Sequence, residues 1–429
     1  MKLLATKQAN FEAEFATLMS RAQPSPALSE TVHQIIERVR SRGDAALFEY
    51  SYQFDRVELT QDNVRVTNDE LRIGVAQVPK ALREALALAA RRIETFHRAQ
   101  LPRDIEFTDD TGTTLGLRWG PLDAVGLYVP GGKAADPSSV LMNAIPARVA
   151  GVRRVAMCVP TPDGVLNPLL LAAASAAGVS EIYRVGGAQA IAALAYGTQS
   201  IRAVDRIVGP GNAYVAEAKR QVFGRVGIDS IAGPSEVLII ADDGNNPHHV
   251  ALDLLAQCEH DEDAQAILIT DSGAVASSVA GAVDELLRTL PRAAIAAESW
   301  RRHGGIILVQ NWQEAEILAN RIAPEHLQLM LAEPNRMFNK IRHAGAIFLG
   351  RHTPEAMGDY IAGPNHVLPT SGTARFASGL SVYDFMKRTT YLATPPRALE
   401  VLGPAAASLA EAEGLSAHAA SITARLAPE

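Results

Sequence analysis

The first hundred residues follow a helical pattern of apolar and polar positions. Between residues 29 and 54 the apolar side chains recur at intervals of three and four, and Ser29 and Glu30 open the stretch, as is typical of a helix N-terminus. Residues 80–100 repeat this spacing, with lysine and arginine on the opposite face. The pattern predicts an N-terminal helical region.

From about Leu122 the pattern changes to short β-branched runs that alternate with alanine-rich helical windows. The predicted strands are DAVGLYV, RRVAMCV, EIYRVG, DRIVG, EVLIIAD, QAILITD, GGIILV and AIFLG. Strands that alternate with helices of about 10 to 15 residues form mostly parallel sheets. The sequence therefore predicts an α/β protein with two successive, mostly parallel, Rossmann-like domains.

Beyond Gly350 this alternation ends in a segment rich in glycine, proline and threonine, and the chain finishes in an alanine-rich helix around residues 404–428. The tail has little apolar surface for a core of its own, so we expect it to dock on another domain or on a partner subunit. The predicted regions are a helical segment at 1–110 that packs on the body, α/β domains at 111–234 and 235–350, and the irregular segment with its helical tail at 351–429.

Composition narrows the class of protein. The 429 residues include 40 basic and 47 acidic side chains, a net charge of −7 with no basic block, which argues against a nucleic-acid partner. Only two cysteines occur, which excludes a disulfide framework and a cysteine-rich zinc module. The start of the chain lacks the apolar stretch of a signal peptide, and no apolar run approaches the ~18 residues of a membrane span. We expect a cytoplasmic protein with no membrane partner.

Three glycine-rich turns follow predicted strands: YVPGGKA, VGGAQA and IVGPGNAYVAEAKR. In the last, Gly209, Gly211 and Asn212 link a strand to a helix, where backbone N–H groups favour phosphate. This turn departs from GxGxxG, because Pro210 lacks an N–H and Tyr214 replaces the third glycine. Taken alone, such a turn is better explained as a plain helix cap. Together, at corresponding strand ends that line one crevice, they favour a nucleotide site.

Four pairs combine a histidine with a carboxylate or amide: Gln257 with His260, Glu325 with His326, Asp359 with His366, and Glu413 with His418. Gln257 and His260 share a helical face, whereas Pro324 stops a helix and places Glu325 and His326 in a predicted loop. Other histidines in charged surroundings, such as His97, are expected at the surface.

The last pair, Glu413 and His418, lies about 140° apart on a continuous helix, so the two side chains converge only if Gly414 breaks that helix. A simple polar cap explains each of the four pairs alone. Jointly they offer nitrogen and oxygen ligands that suit zinc, although the HExxH zinc motif is absent.

Several long segments carry a family resemblance. They are VGLYVPGGKA, RVGGAQAIAALAYGT, IVGPGNAYVAEAKRQV, IAGPSEVLIIAD, QCEHDEDAQ, APEHLQL, MGDYIAGPNHVLPTSGTARFASGLSVYDF and AEGLSAHAASI. In this order the chain closely resembles the histidinol dehydrogenase family from about residue 25 to its end. Two departures are Cys258, where the family usually has alanine, and Gln328, where glutamate is usual; neither is at a position assigned to chemistry.

The resemblance implies a homodimer of aldehyde-dehydrogenase-like fold that oxidises L-histidinol through L-histidinal to L-histidine with two NAD, the last steps of histidine biosynthesis. It implies one zinc ion per subunit, held by Gln257, His260, Asp359 and His418, with His418 donated by the partner subunit. The implied substrate contacts are those four ligands with Ser235, His326, His366 and Glu413, and the implied NAD contacts are Tyr128, Gln189 and Asn212.

The implied chemistry needs a proton acceptor with a pKa near neutrality while hydride leaves the alcohol carbon, a role that suits His326. Glu325 is the expected group for activating the water that hydrates the aldehyde. Two alternatives stay open: a related dehydrogenase of another polar alcohol, such as a sulfonated diol, and a zinc hydrolase in which the glycine turns are only structural.

Overall fold

The structure is a computed structural model that describes residues 1–20, 25–130, 136–231 and 233–426. Within these ranges the strands are β1 (Lys2–Ala5), β2 (Ile105–Thr108), β3 (Thr114–Pro121), β4 (Ala124–Tyr128), β5 (Arg154–Cys158), β6 (Glu181–Tyr183), β7 (Arg206–Val208), β8 (Gly227–Ile228), β9 (Glu236–Ala241), β10 (Gln265–Thr270), β11 (Gly305–Leu308), β12 (His326–Met330), β13 (Ala346–Leu349) and β14 (Met386–Ala393).

The helices in the same ranges are α1 (Phe11–Met19), α2 (Pro26–Arg42), α3 (Asp44–Asp55), α4 (Asn68–Gln77), α5 (Lys80–Arg98), α6 (Pro137–Ala150), α7 (Pro168–Ala177), α8 (Gly187–Tyr196), α9 (Ala213–Val222), α10 (Pro247–Cys258), α11 (Gly273–Leu286), α12 (Ala293–His303), α13 (Trp312–Ile322), α14 (Pro334–Phe338), α15 (Glu355–Tyr360), α16 (Pro396–Ala412) and α17 (Ser416–Thr423). None of the described helices is both long and apolar enough to cross a membrane.

The chain divides into two compact units. The main unit comprises residues 1–100 and 123–385, and the small unit comprises residues 101–122 and 386–429. Helices predicted between residues 26 and 100 are present as α2 to α5 in the main unit. The main unit also holds both parallel sheets, which confirms the predicted α/β fold class.

The first sheet has five parallel strands in the order β6-β5-β4-β7-β8. Helices α2, α3, α8 and α9 cover one face, where they share an apolar core with Ala156, Cys158 and Ile207, while α6 packs on β4 and β5. Because β4 and β7 are neighbours at the point where the strand order reverses, their carboxyl ends open the crevice in which such sheets bind ligands.

The second sheet has six parallel strands in the order β1-β11-β10-β9-β12-β13. Every residue of β9, β10 and β12 is buried, as expected for parallel strands covered on both faces. Helices α10 to α12 cover the face that includes Val237 and Ile239, and α1 and α13 cover the face that includes Leu238 and Ile240.

The loop predicted for Glu325 and His326 is wrong for His326, which begins the buried strand β12 between β9 and β13. Helix α13 ends with Ala323 in the left-handed conformation, φ 50°, so Pro324 and Glu325 are the whole connection to the strand. The polar residues His326 and Gln328 interrupt the apolar pattern, so this strand was not predicted from the sequence. Gln328 is tolerated inside because its amide donates to Asp253 at 2.6 Å.

The small unit is an antiparallel sheet in the order β14-β3-β2 with helices α16 and α17, and its strands were not predicted. The predicted C-terminal helix is two helices, since Gly414 has φ +76° between α16 and α17. Buried residues in its sheet and helices are small, such as Ala398, Ala407 and Ala419. This matches the expectation of a tail with little core.

The predicted region boundaries separate most strands of the two parallel sheets. All strands of the five-stranded sheet lie within 111–234, and five of the six strands in the second sheet lie within 235–350. The sixth, β1, comes from the predicted N-terminal helical region and pairs with β11. The division into these four regions stays a prediction.

Candidate active site

His326 lies where β9 and β12 start side by side, and its ring is buried. Its Nδ1 is 3.0 Å from the carbonyl oxygen of Glu236. Since a carbonyl only accepts hydrogen bonds, Nδ1 carries the proton and Nε2 is the bare nitrogen. Nε2 lies 3.8 Å from an Asp359 carboxylate oxygen. Burial lowers the pKa of His326, so the neutral ring presents Nε2 as a proton acceptor.

Glu325 adjoins His326 and is also buried. Its Oε2 accepts the backbone N–H of Glu236 at 2.8 Å and lies 3.8 Å from the histidine Nδ1. Burial raises the pKa of Glu325 well above its usual value, and the neighbouring carboxyl groups of Glu236, Glu355 and Asp359 raise it further. One residue, Glu236, therefore holds the acid with its N–H and the imidazole with its carbonyl.

Helix α15 presents two carboxyl groups to His326. Glu355 and Asp359 are four residues apart, hence on one helical face, and with His326 they offer ligand atoms that all lie within 4.8 Å of one another. Burial raises the pKa of Glu355 well above its usual value, and Asp359 adds to that rise. The segment was predicted to be irregular, and this short helix explains how both carboxyl groups reach the same side.

Helix α10 brings two more predicted residues to the site. Gln257 lies on its last turn and is 1% exposed, while His260 follows two residues beyond the helix end. Helix α10 packs against α15. The charge of His260 is close enough to His326 to lower the pKa of His326. The helix end therefore places an amide and a second imidazole beside the carboxyl cluster.

Three of these groups have buried atoms with no hydrogen-bond partner among the described residues: Oε1 of Gln257, Nε2 of His326 and Oε2 of Glu355. Buried polar atoms are nearly always satisfied, so acceptors left bare together indicate a missing electrophile or donor. Amide oxygen, imidazole nitrogen and carboxylate oxygen are ligands that a divalent metal accepts. The residues present thus fit a metal ion.

His366 connects this site to the first sheet. It is partly buried, its Nε2 has no partner within the described ranges, and its charge acts on both His326 and Asp136. Burial favours neutral Asp136, but His366 and the hydroxyls of Ser138 and Ser139 outweigh burial and lower its pKa. Asp136 caps α6, the helix that follows β4.

Ser235 is a predicted substrate contact that stands directly before β9. It is partly buried, and its carbonyl accepts the backbone N–H of Gln265. It therefore adjoins Glu236, which holds the acid and the imidazole. Ser235 thus directly precedes the residue that holds the pair, while its role stays a prediction.

The three predicted NAD contacts lie at the end of a strand or at the start of a helix of the first sheet. Tyr128 ends β4 and is buried; its hydroxyl accepts the N–H of Gly187, and burial raises its pKa to about 12. Gln189 is buried in the first turn of α8. Asn212 is exposed and caps α9 by accepting the N–H groups of Tyr214 and Val215. Residues 131–135 of the YVPGGKA turn lie outside the described residues.

Glu413 and His418 belong to the small unit, and both are exposed. Glu413 follows the last residue of α16, and His418 lies on α17. The break at Gly414 that their convergence requires is present. Their role in the site stays a prediction.

Among the sequence-predicted residues, the main unit brings together Glu325, His326, His260, Asp359 and His366. Sequence reasoning missed Glu236, Glu355 and Asp136. The four-residue spacing of Glu355 and Asp359 was a usable signal, had the segment been taken as helical. Glu236 gave no signal, because its contribution comes from backbone atoms that the pairing of β9 with β12 places.

Two parallel sheets, one with an open switch point and one with a buried acid and imidazole at its strand starts, define a protein of the α/β class with a candidate catalytic site. The family model for histidinol dehydrogenase matches residues 19–426. The chain is 62% identical to histidinol dehydrogenase of Gluconobacter oxydans over 99% of both chains, and 57% identical to that of Ruegeria pomeroyi over 99% of this chain and 98% of the relative.

A crystal structure of histidinol dehydrogenase from Elizabethkingia anophelis superposes with a TM-score of 0.94 at 36% identity, covering 99% of this chain and 98% of that chain. This chain belongs to the histidinol dehydrogenase family.

Proposed function

We propose that this enzyme oxidises L-histidinol to L-histidine through L-histidinal, the last steps of histidine biosynthesis, with NAD as hydride acceptor and zinc as the metal. Family membership supports the reaction. The structural observation that carries it is the bare Nε2 of His326 beside Asp359 and among unsatisfied ligand atoms. As a biosynthetic enzyme that uses NAD, it is expected to work in the cytoplasm.

In the first oxidation, hydride leaves the alcohol carbon for the nicotinamide while the hydroxyl proton leaves for a base. Nε2 of His326 accepts that proton. The resulting imidazolium keeps its Nδ1–H bond to the Glu236 carbonyl and lies 3.8 Å from the Asp359 carboxylate, which favours the charged form. His326 then releases the proton before the second oxidation.

The second oxidation requires that the aldehyde first be hydrated. Glu325, once ionised, removes a proton from the attacking water, since the raised pKa of this carboxyl makes it a stronger base than an exposed glutamate. The hydrate again loses hydride to NAD and a proton to His326. The N–H of Glu236 keeps the carboxyl oriented through both states.

The proposed metal ligands are Gln257, His260 and Asp359 of the main unit and His418 of the small unit. When bound, zinc would supply a Lewis acid that orients the amino and imidazole nitrogens of the substrate. Glu355 interacts with Asp359 and positions its carboxylate. His366, Ser235 and Glu413 are the remaining proposed substrate contacts.

The proposed NAD site is the switch point between β4 and β7. The turn after β7 ends in Asn212, whose side chain caps α9, so the positive dipole end of that helix lies at the carboxyl end of β7. Tyr128 and Gln189 would shape the crevice from β4 and α8.

We propose a homodimer in which the small unit serves the neighbouring subunit. Ile105, Phe107, Leu392 and Leu409 of the small unit are each at least half exposed, and its sheet and helices bury mainly small residues. A unit of this size needs apolar cover that it does not provide for itself.

The direct test is incubation of the purified enzyme with L-histidinol and NAD, followed at 340 nm. We expect two NADH for each histidinol, loss of activity with a chelator and recovery with zinc. A sulfonated diol as the preferred substrate would reassign the specificity. Absence of any NADH would overturn the dehydrogenase function.

A further inference from the structure

A buried ion pair lies beside the first sheet, between α9 and the residue that follows β8. The side chain of Lys219 on α9 is 2% exposed and that of Asp229 is 4% exposed, and the two are in direct contact. Burying two charges costs desolvation that their attraction often only offsets, so such a pair is weak evidence for added stability. The role of this ion pair is therefore better indicated by the groups that its two side chains contact.

Both partners hold the backbone of one residue, Gly209. Lys219 Nζ donates to the Gly209 carbonyl oxygen at 3.0 Å, and Asp229 Oδ2 accepts the Gly209 N–H at 2.8 Å. The other carboxylate oxygen of Asp229 accepts the N–H of Ser230 at 2.7 Å. The donor and the acceptor of Gly209 are thus fixed by the two halves of one ion pair.

Gly209 opens the turn that links β7 to α9. Its φ is +112°, a conformation that favours glycine, and a Cβ there would overlap the Tyr128 carbonyl oxygen at the end of β4. Pro210 follows and has no N–H, so no backbone N–H lies between that of Gly209 and that of Gly211. How Gly209 is held therefore sets where the turn toward Asn212 begins.

Lys219 belongs to the helix that this turn begins. It reaches back along α9 to Gly209, while Asn212 caps the same helix. The pair therefore fixes the turn relative to both its strand and its helix. A turn that is preset in this way binds a dinucleotide without first having to be ordered.

We propose that Lys219 and Asp229 are positioning residues for NAD: their ion pair presets the turn from Gly209 to Asn212 at the β4–β7 switch point. This inference rests on the proposed NAD site. It assigns no contact between either side chain and the cofactor.

The test compares two double variants. K219M/D229N removes both charges, so that no unpaired charge stays buried, and leaves the Gly209 carbonyl without its donor. K219Q/D229N also removes both charges but keeps an amide that can donate to that carbonyl. Binding is measured by titration of NADH fluorescence, with NAD and histidinol kinetics alongside.

We expect K219M/D229N to weaken NADH binding about tenfold, the effect of losing one hydrogen bond to a charged group, and to raise KM for NAD without raising KM for histidinol. K219Q/D229N should recover most of that affinity. The matched control is E217Q/R220M, which removes the Glu217–Arg220 ion pair of the same helix, away from the turn. It should lower thermal stability and leave NADH binding unchanged.

Equal NADH affinity in wild type and K219M/D229N would overturn the positioning role alone. Failure of the wild type to bind NADH would overturn both this role and the proposed NAD site. If K219M/D229N does not fold, amide hydrogen exchange of wild-type residues 207–215 decides instead. Protection of the Gly209 amide like that of α9 supports the inference, and exchange as fast as in exposed loops overturns it.

Discussion

The roles of Glu325 and His326 follow from one neighbouring residue. The Glu236 carbonyl accepts from Nδ1 of His326 and so leaves Nε2 bare, while its N–H holds the Glu325 carboxyl. These contacts exist because β12 pairs with β9 in a register that puts His326 opposite Val237. The backbone of β9 therefore separates a base that faces the ligand cluster from a buried acid with a raised pKa.

Replacing Glu325 by glutamine tests this separation. E325Q keeps the size of the side chain but cannot take a proton from water, so the aldehyde half-reaction should slow by about 10² to 10³ while the alcohol half-reaction slows much less. Separate assays with L-histidinol and L-histidinal measure the two. E333Q, at an exposed glutamate outside the site, is the matched control. Equal losses in both half-reactions would contradict the water-activating role.

The roles of residues were predictable where a rare combination of side chains indicates chemistry. They were less predictable where packing determines whether a side chain is buried. The histidine pairs with Gln257, Glu325 and Asp359 stand out in the sequence because few structural roles need such combinations. His97 was expected at the surface and is fully buried, because its Nδ1 bonds to the Ile93 carbonyl inside α5 and its ring adjoins Asn365. A local hydrogen bond of this kind leaves no pattern in the sequence.

At the scale of elements, β12 is a strand that the pattern of apolar residues does not predict. Its sequence HLQLM mixes polar and apolar residues, yet all five residues are buried, and Asp253 accepts from the Gln328 amide while the Glu236 carbonyl accepts from Nδ1 of His326. The long apolar strands β9 and β10 were predictable because nothing polar interrupts them. The interrupted strand is the one that carries the chemistry.

Helices α2 and α9 are joined by a polar cluster around Glu217. This carboxylate accepts from Arg220, Gln221 and Ser29, and Ser29 lies on α2. Hydrogen bonds from these groups, Arg220 first, lower the pKa of Glu217 to about 2. The carboxylate is therefore favoured in the folded state, and its contribution to stability is present at neutral pH.

Glu217→Gln should lower the free energy of unfolding at pH 7 by about 1–2 kcal/mol, a range that allows for solvent screening at the half-exposed Arg220. A lowered pKa stabilises the fold above the unfolded-state pKa and is lost as pH falls through the folded value. The deficit should thus shrink between pH 4.5 and about 2. Urea unfolding at pH 7 and pH 3 measures it. The exposed Glu37→Gln on α2 is the control, and a deficit independent of pH would contradict the assignment.

The break between α16 and α17 allows Glu413 and His418 to converge. Gly414→Ala places a side chain at φ +76°, which should destabilise the small unit by about 1 kcal/mol and favour a continuous helix that turns His418 away. We expect reduced zinc content and activity, with NADH binding unchanged. Gly281→Ala, an exposed position inside α11, should instead stabilise slightly. Normal zinc content in G414A would contradict the need for the break.

At the scale of the whole molecule, the division into two units separates the proposed ligands. Gln257, His260 and Asp359 lie in the main unit with His326, and His418 lies in the small unit. With the proposed ligand set, metal binding would depend on which small unit supplies His418. Subunit mixing distinguishes a site within one chain from a site shared by two.

Inactive His326→Ala and inactive His418→Ala chains are mixed in equal amounts under conditions that allow subunit exchange. If each site takes His326 from one subunit and His418 from the other, half of the dimers are mixed and each has one intact site, so about a quarter of wild-type activity should return. The matched control mixes H326A with D359A, whose altered residues share the main unit; no mixed dimer then has an intact site, and activity should stay absent. No recovery with H326A and H418A, after exchange has been demonstrated by mass spectrometry of tagged subunits, would place the complete site within a single chain.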